Sequence, residues 1–249
     1  MFVKASVKKG FGVVNQSLVI VAVLSLFGFV WNLINIYFTP RLQNPSIKVS
    51  AIMIAASLVF ISLSIFLQAG TLGYVRDTLK QGHADLAAFI SVGTRYYFRL
   101  LLVGIIITLT VMIFVLLGAL FVALLKTVGI VIAVVIGLVA IYVILLMFFA
   151  PYAVVIGDEK PIASIKKSIG LVKKNLLGVL GISGILLLIG FVIGLLIGVI
   201  FGLLNVAAPG TVSQAITALL SSILNAYLGI FVTASFMNFY LEITNTPGV

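Results

Sequence analysis

The acidic residues and the single histidine are the groups in this sequence that could perform acid–base or metal chemistry. There are five carboxylates and one histidine among 249 residues, and there is no cysteine. A metal or hydrolytic centre needs several such groups at one place. The sequence offers one adjacent acidic pair, Asp158 and Glu159, and a distant histidine, His83. The remaining acids are Asp77, Asp85 and Glu242.

These groups do not form a recognisable catalytic motif. A phosphate-binding loop, a nucleophile elbow and a zinc-protease motif are all missing from the sequence. Asp158 and Glu159 precede Pro161, where acids favour the positive end of a helix dipole. We therefore predict no catalytic residue, no metal site and no cofactor. A membrane enzyme, the alternative, requires His83 to converge with Asp158 and Glu159.

The composition indicates what kind of element must position the polar groups. Hydrophobic residues make up 63% of the chain and charged residues 8%, whereas a soluble domain has about 25% charged residues. Lipid can solvate so much apolar surface, and water cannot. The apolar runs are long and do not alternate as barrel strands do. The sequence predicts an all-α polytopic transmembrane helix bundle.

The lengths of the apolar runs predict six spans in a single integral domain, residues 1–249. Lys126 is the only charged residue between Leu100 and Ala150. One helix of that length would measure roughly 76 Å, but the hydrocarbon core is about 30 Å thick. The chain must therefore reverse at Lys126 to Gly129. The spans are 17–38, 49–70, 100–125, 129–150, 176–206 and 215–241, with an interfacial helix at 1–16 and cytoplasmic segments at 71–99 and 151–175.

The distribution of basic residues predicts the orientation. Twelve of the 15 Lys and Arg residues fall on the side of both termini, which the positive-inside rule places in the cytoplasm. These cations border apolar spans and form no basic tract, so we predict anionic lipid headgroups as partners and no nucleic acid. The expected location is the inner or plasma membrane.

The fifth span carries glycines at intervals of four. Overlapping G-x-x-x-G units create a smooth face on which another helix can pack closely in lipid. The sixth span offers a matching strip of small residues, so we predict that spans five and six pack together. A homodimer contact is the alternative. The predicted packing residues are Gly190, Gly194, Gly198, Gly202, Ser222, Gly229 and Thr233.

Uncharged polar residues inside the spans are the better functional lead, because polar groups are costly in lipid and normally face a partner or a cavity. Their ordinary role is hydrogen bonding between helices. The sharper hypothesis is that they line a substrate pathway. The residues are Asn32, Asn35, Gln68, Asn225 and Asn238.

The segment after the fourth span is amphipathic. Ile162, Ile165, Ile169 and Val172 share one face of the expected helix, and lysines occupy the other. This pattern is typical of an interfacial helix, although a docking surface for a cytoplasmic protein fits equally well. Residues 85–101 resemble residues 161–177 at an offset of 76, so a repeat and chance similarity both remain open. The cations expected to contact headgroups or a partner are Lys160, Lys166, Lys167, Lys173, Lys174, Arg95 and Arg99.

Several motifs between Gln68 and Asn175 carry a family resemblance. They are Gly70-x-x-x-Tyr74-Val75-x-Asp77, the amphipathic stretch to Arg99, the span end Ala150-Pro151, and Ala163-Ser164-x-x-x-Ser168-x-x-Leu171-x-Lys173-x-Asn175. This arrangement resembles prokaryotic six-span proteins such as the YciC-like family and the membrane domain fused to some glycerophosphodiester phosphodiesterases. The resemblance implies six helices, an inner membrane location and a role linked to lipids or the cell envelope. The fused phosphodiesterase domain is missing from this chain.

We therefore expect a non-catalytic protein that transports or flips a lipidic or amphipathic substrate. The alternative is a membrane scaffold that binds a partner through its cytoplasmic amphipathic helices. A carrier needs a cavity lined by Asn225, Asn32 or Gln68, and a scaffold needs none.

Overall fold

The computed structural model of the protein describes residues 2–39, 46–207 and 210–245, and these residues form helices and no strand. The helices are α1 Phe2–Gln16, α2 Leu18–Phe38, α3 Ile47–Gln81, α4 Leu86–Met147, α5 Ala150–Gly157, α6 Pro161–Lys174, α7 Leu176–Ala207 and α8 Thr211–Asn245.

The described part of the chain contains five helical segments that are long and apolar enough to cross a membrane. They lie in α2, α3, α4 continued into α5, α7 and α8. The all-helical class is confirmed, and the apolar helices are compatible with a membrane protein.

Helix α4 reverses direction at Lys126, whose φ of 47° and ψ of −117° are not helical. The two arms then run antiparallel, because a Cβ placed on Gly118 would lie 3.7 Å from the Cβ of Ala133. Next to the turn, Gly129 lies against the backbone of Phe121, a close approach that a larger residue would block. The chain reversal lies where the sequence predicts a hairpin.

Most of the buried core lies at one end of the molecule. We call this end the packed half, because the buried residues concentrate there. It consists of α1, α5 and α6, the beginning of α7, the end of α8, residues 66–100 at the joined ends of α3 and α4, and residues 144–149. The other end is the splayed half, with residues 47–63, 102–143, 187–207 and 211–223. In the most apolar window of α3, none of the residues is buried.

Glycines allow α3 and α4 to pack closely in the packed half. A Cβ on Gly70 would lie 2.8 Å from the carbonyl oxygen of Phe89, and a Cβ on Gly93 would lie 2.7 Å from the ring of Phe66. The two helices are antiparallel and are joined at the left-handed residue Gly82, with φ of 78°. The backbones of α3 and α4 therefore lie very close together in the packed half.

Helix α1 packs along α8, so its buried face meets protein. Gly10 lies directly against Ser235, and the Asn238 amide donates a hydrogen bond to the Ser6 hydroxyl at 3.1 Å. The Phe11 and Phe231 rings lie 4.2 Å apart. The prediction of an interfacial helix is corrected in this respect, because the small residues of α1 permit contact with a neighbouring helix.

The four glycines of α7 that were predicted to pack on α8 do not do so. Nothing lies within 4 Å of a Cβ placed on Gly190, Gly194, Gly198 or Gly202. Helix α7 instead contacts its neighbours near its beginning, through the buried residues Val179, Ile182 and Leu186. The predicted packing of spans five and six through these residues is thus corrected. At Ser222 the neighbour of α8 is α2, because Ser222 lies 3.5 Å from a Cβ placed on Gly28.

Candidate functional site

A cavity of about 470 Å³ lies among α2, α3, both arms of α4, α5 and α8. We call it the Gln68 cavity. Most of its lining side chains are aliphatic or aromatic, and a few are polar. Gln68, Ser64 and Gly229 are exposed at its opening. The lining residues are Leu24, Phe27, Ser64, Leu67, Gln68, Thr71, Leu72, Ile107, Ile144, Phe148, Pro151, Tyr152, Gly229 and Thr233.

A break between α4 and α5 shapes one wall of this cavity. Pro151 has no backbone N–H, so the helix cannot continue unbroken through it. The Ser168 hydroxyl, on α6, accepts a hydrogen bond from the Phe149 N–H at 3.0 Å and donates one to the Leu146 carbonyl at 2.7 Å. Backbone groups that the break would leave buried and unpaired are thereby satisfied. The break places Phe148 and Tyr152 in the cavity wall.

Three polar side chains of the Gln68 cavity have no hydrogen-bond partner among the described residues, namely Gln68, Tyr152 and Thr233. Tyr152 is 7% exposed, and its hydroxyl can both donate and accept a hydrogen bond. Gln68 is exposed, and its amide offers two donors and one acceptor. In contrast, Ser64 and Thr71 donate to carbonyls within their own helix. Gln68 and Tyr152 therefore remain available to a ligand.

A second cavity, also of about 470 Å³, lies between α2 and α8 in the splayed half. We call it the Asn32 cavity. Six of its eight lining residues are polar, and none is charged. The hydroxyl oxygen of Thr217 is buried there without a hydrogen-bond partner. The lining residues are Asn32, Asn35, Ile36, Thr39, Gln214, Thr217, Ala218 and Ser221.

Helices α2 and α8 come into direct contact between the two cavities. The Asn32 amide donates to the Ser222 hydroxyl at 3.0 Å. A Cβ on Gly28 would lie 3.5 Å from the same serine. Helices α2 and α8 therefore touch through a serine and a glycine, and the cavities lie on either side of that contact.

The structure divides the predicted pathway residues into three groups. Gln68 lines one cavity, and Asn32 and Asn35 line the other. Asn225 lines neither and is exposed. Asn238 is buried and donates to Ser6 and to the Glu242 carboxylate at 2.8 Å. Asn238 thus bonds helices together, and its predicted place in a pathway is corrected.

Sequence reasoning missed Tyr152, Thr217 and the cavity role of Thr233. Tyr152 follows Pro151, and a proline that ends an apolar span is a signal for a helix break with exposed backbone groups. Thr217 carries no such signal, because a threonine near the end of a span usually bonds its own helix.

Arg95 and Arg99 form an ion cluster with Asp158. Arg95 contacts one Asp158 oxygen at 3.0 Å, and Arg99 contacts the other at 2.6 Å. Hydrogen bonding from the Tyr96 hydroxyl, followed by that from Arg99, lowers the pKa of the Asp158 carboxyl. Both arginines keep exposed surface, so their contact with headgroups or a partner stays a prediction.

Helix α6 presents its lysines outward and packs its other face on α4 and α5. Ser164, Ile165, Ser168 and Val172 are buried. Ile162, which was expected to share the buried face, is 64% exposed. The apolar face therefore contacts mostly protein, and the placement of this helix at a membrane surface stays a prediction. Lys167 pairs with Glu159 at 3.0 Å, and the other exposed lysines of the segment are Lys160, Lys166, Lys173 and Lys174.

The remaining titratable groups do not come together. No cluster of three or more His, Asp or Glu side chains able to hold a metal occurs in the described ranges. His83 is exposed, and its ring lies 3.2 Å from the Gln81 carbonyl oxygen. Arg76 pairs with Asp77 at 2.7 Å and donates to the Val155 carbonyl. The hydrogen bond to Val155 joins α3 to α5.

Comparison with known proteins places the chain in one family. The family model described as a domain of unknown function, DUF7847, matches residues 1–243. The chain belongs to this family. No curated protein and no solved structure matches it. The cavities and the charged cluster are therefore the basis for a functional proposal.

Proposed function

We propose that the protein binds and transports a lipidic or amphipathic molecule, which enters the Gln68 cavity from the bilayer. The observation that carries this proposal is an apolar cavity of about 470 Å³ that contains unpartnered polar groups at Gln68 and Tyr152. Ligand pockets have volumes of about 300–1,000 Å³ and few polar groups. The apolar walls suit acyl chains, and the amide and hydroxyl suit a polar group attached to them.

The proposal includes a six-span topology in the inner or plasma membrane. The two arms of α4 count as separate spans because the chain reverses at Lys126. Helices α1 and α6 bring their lysines to the packed half, together with Arg76, Arg95 and Arg99. Lys48 and Lys126 lie at the other end, and Arg41 lies outside the described residues. The positive-inside rule then places the packed half and both termini in the cytoplasm.

Native mass spectrometry of the protein extracted with its own lipids tests the binding step. We expect one lipid to remain bound in stoichiometric amount, and Gln68→Leu and Tyr152→Phe each to reduce its retention. Tyr142→Phe is the matched control, since Tyr142 is 43% exposed in α4 and lines neither cavity. Equal retention in wild type and both cavity variants, or none in any of them, would disprove binding at this site.

A scaffold that binds a cytoplasmic partner is the second candidate. The observation in its favour is that α6 presents Lys160, Lys166, Lys173 and Lys174 at the surface without an ion pair among the described residues. Anionic headgroups would be attracted to the same lysines. Replacing the four by Gln should release a bound acidic protein, or weaken binding to vesicles that contain phosphatidylglycerol. If the acidic protein and the vesicles bind equally well to the variant, these lysines are excluded as a docking surface.

A further inference from the structure

One face of α8 carries polar or small residues over most of its length. The residues recur three or four positions apart, so they lie on a single helix face. We call this face the α8 track: Gln214, Thr217, Ser221, Asn225, Gly229 and Thr233. Its first three residues line the Asn32 cavity, and its last two line the Gln68 cavity. Asn225 lies between them and belongs to neither.

Asn225 is exposed and has no hydrogen-bond partner among the described residues. A polar side chain at membrane depth is costly and usually has a partner or a wet surface beside it. Space is also available one turn away, because nothing lies within 4 Å of a Cβ placed on Gly229. An exposed polar position therefore lies between the two cavities along α8.

The track is long enough to matter for movement across a bilayer. From Gln214 to Thr233 it measures roughly 28 Å at 1.5 Å per residue, close to the hydrocarbon thickness of about 30 Å. Polar groups without partners occur at three levels: Thr217, Asn225 and Gln68. A polar group that moves along α8 would find hydrogen-bonding atoms at each level.

The chemistry of the track selects an uncharged group. Residues 211–240 of α8, which carry the track, and the neighbouring helix α2 contain no Asp, Glu, Lys, Arg or His. A charged headgroup would therefore lose hydration without gaining an opposite charge. A group with several hydroxyls can exchange its hydrogen bonds to water for bonds to amides and hydroxyls.

We propose that the α8 track is the path of a lipid headgroup that is uncharged and rich in hydroxyl groups, such as the sugar of a glycolipid. The headgroup moves between the two cavities along Asn225, while the acyl chains stay in the bilayer beside the exposed face of α8. This inference rests on the proposed function and names its substrate class. The bilayer side of the track favours a lipid over a free sugar, because Asn225 and Gly229 are exposed there.

Transbilayer movement in reconstituted vesicles tests the path. The probe is monoglucosyl diacylglycerol with a nitrobenzoxadiazole label on one acyl chain, bleached by external dithionite. We expect wild-type protein to expose the inner-leaflet probe and Asn225→Leu to slow this step on the order of tenfold, the scale of one lost hydrogen bond in a membrane. Asn225→Gln keeps an amide and should retain most of the rate.

A second variant fills the track without replacing a polar group. Gly229→Leu should also slow the probe, since its side chain would occupy the open space beside Asn225. Gly104→Leu is the matched control, because nothing lies within 4 Å of a Cβ there either and the site is exposed on α4. Labelled phosphatidylglycerol should move more slowly than the glycolipid.

The outcomes separate this inference from the proposed function. If the Asn225→Leu variant still retains lipid in stoichiometric amount in native mass spectra but no longer moves the glycolipid, the result supports the proposed function and the track. Two results would overturn the track and leave lipid binding in place. In the first, wild-type protein retains lipid but does not move the glycolipid. In the second, the glycolipid moves at equal rates in wild type and in both track variants. Exit of entrapped radiolabelled glucose with no movement of the glycolipid would assign the track to a free sugar and overturn the lipid path. Absence of both retention and movement overturns both proposals.

Discussion

The packed and splayed halves of this protein follow different rules of association. In the packed half, glycines lie directly against neighbours, as Gly70 does against Phe89 and Gly10 against Ser235. In the splayed half, the four glycines of α7 face open space. The same residue type thus marks a close helix contact at Gly70 and Gly10 and an unoccupied surface at those four positions of α7.

The difference teaches which residues carry information in a membrane protein. Lipid solvates Leu, Ile and Val as well as a protein interior does, so apolar side chains alone do not draw helices together. Backbone breaks and buried hydroxyls require specific partners, and the packed half supplies them, as Ser168 does for the break before Pro151. The splayed half leaves the Thr217 hydroxyl in the Asn32 cavity without a hydrogen-bond partner among the described residues, and Asn225, just beyond it on α8, is exposed without one.

The largest expected effect comes from filling a tight contact. Gly70→Leu places a side chain where a Cβ would already lie 2.8 Å from the Phe89 carbonyl oxygen, and backbone cannot move aside cheaply. We expect the free energy of unfolding to fall by about 3 kcal/mol. Gly198→Leu, the control in the splayed half, should change it by less than about 0.5 kcal/mol. Circular dichroism during titration with dodecyl sulfate measures both.

The two glycine variants also test whether a second copy covers α7. A large loss in Gly198→Leu, together with a change in oligomeric mass, would show that the glycines of α7 form a homodimer contact, as the sequence left open. Equal losses at Gly70 and Gly198 in a monomer would contradict the distinction between the two halves.

An intermediate effect should follow from Ser168→Ala. The Phe149 N–H would lose its partner at 3.0 Å in a buried site, and an unsatisfied buried donor costs about 2 kcal/mol. Ser164→Ala is the matched control, because Ser164 is equally buried but bonds only the Pro161 carbonyl in its own helix. If the two variants unfold at the same denaturant fraction, the bridge across the break does not stabilise the packed half.

The smallest effect concerns the exposed cluster at Asp158. Its pKa is lowered in the folded protein, so it stabilises the fold above the unfolded pKa of about 3.9, and this stabilisation is lost as pH falls through the lower folded pKa. Asp158→Asn removes that component and keeps a residue that tolerates the φ of 53° found there. Thermal unfolding from pH 6 to pH 3 should show a smaller acid shift in the variant. Parallel curves would exclude a contribution from Asp158.

Part of the candidate site could be read from the sequence. Gln68, Asn32 and Asn35 were found because amides in apolar spans stand out against their neighbours, and all three line cavities. Asn238 has the same appearance in the sequence but bonds Ser6 from a distant part of the chain. Tyr152 and Thr217 were missed, because burial without a partner depends on what the other helices bring near.

The sequence by itself determined the all-helical class and predicted the chain reversal at Lys126. Both follow from local properties, namely hydropathy, length and one interrupting charge. Only the tertiary structure decided that Arg95 and Arg99 pair with Asp158, that α1 packs on α8, and that Gly190, Gly194, Gly198 and Gly202 remain uncovered. Those outcomes depend on which helix faces meet, and in lipid many faces can pack against either a neighbour or acyl chains with similar free energy.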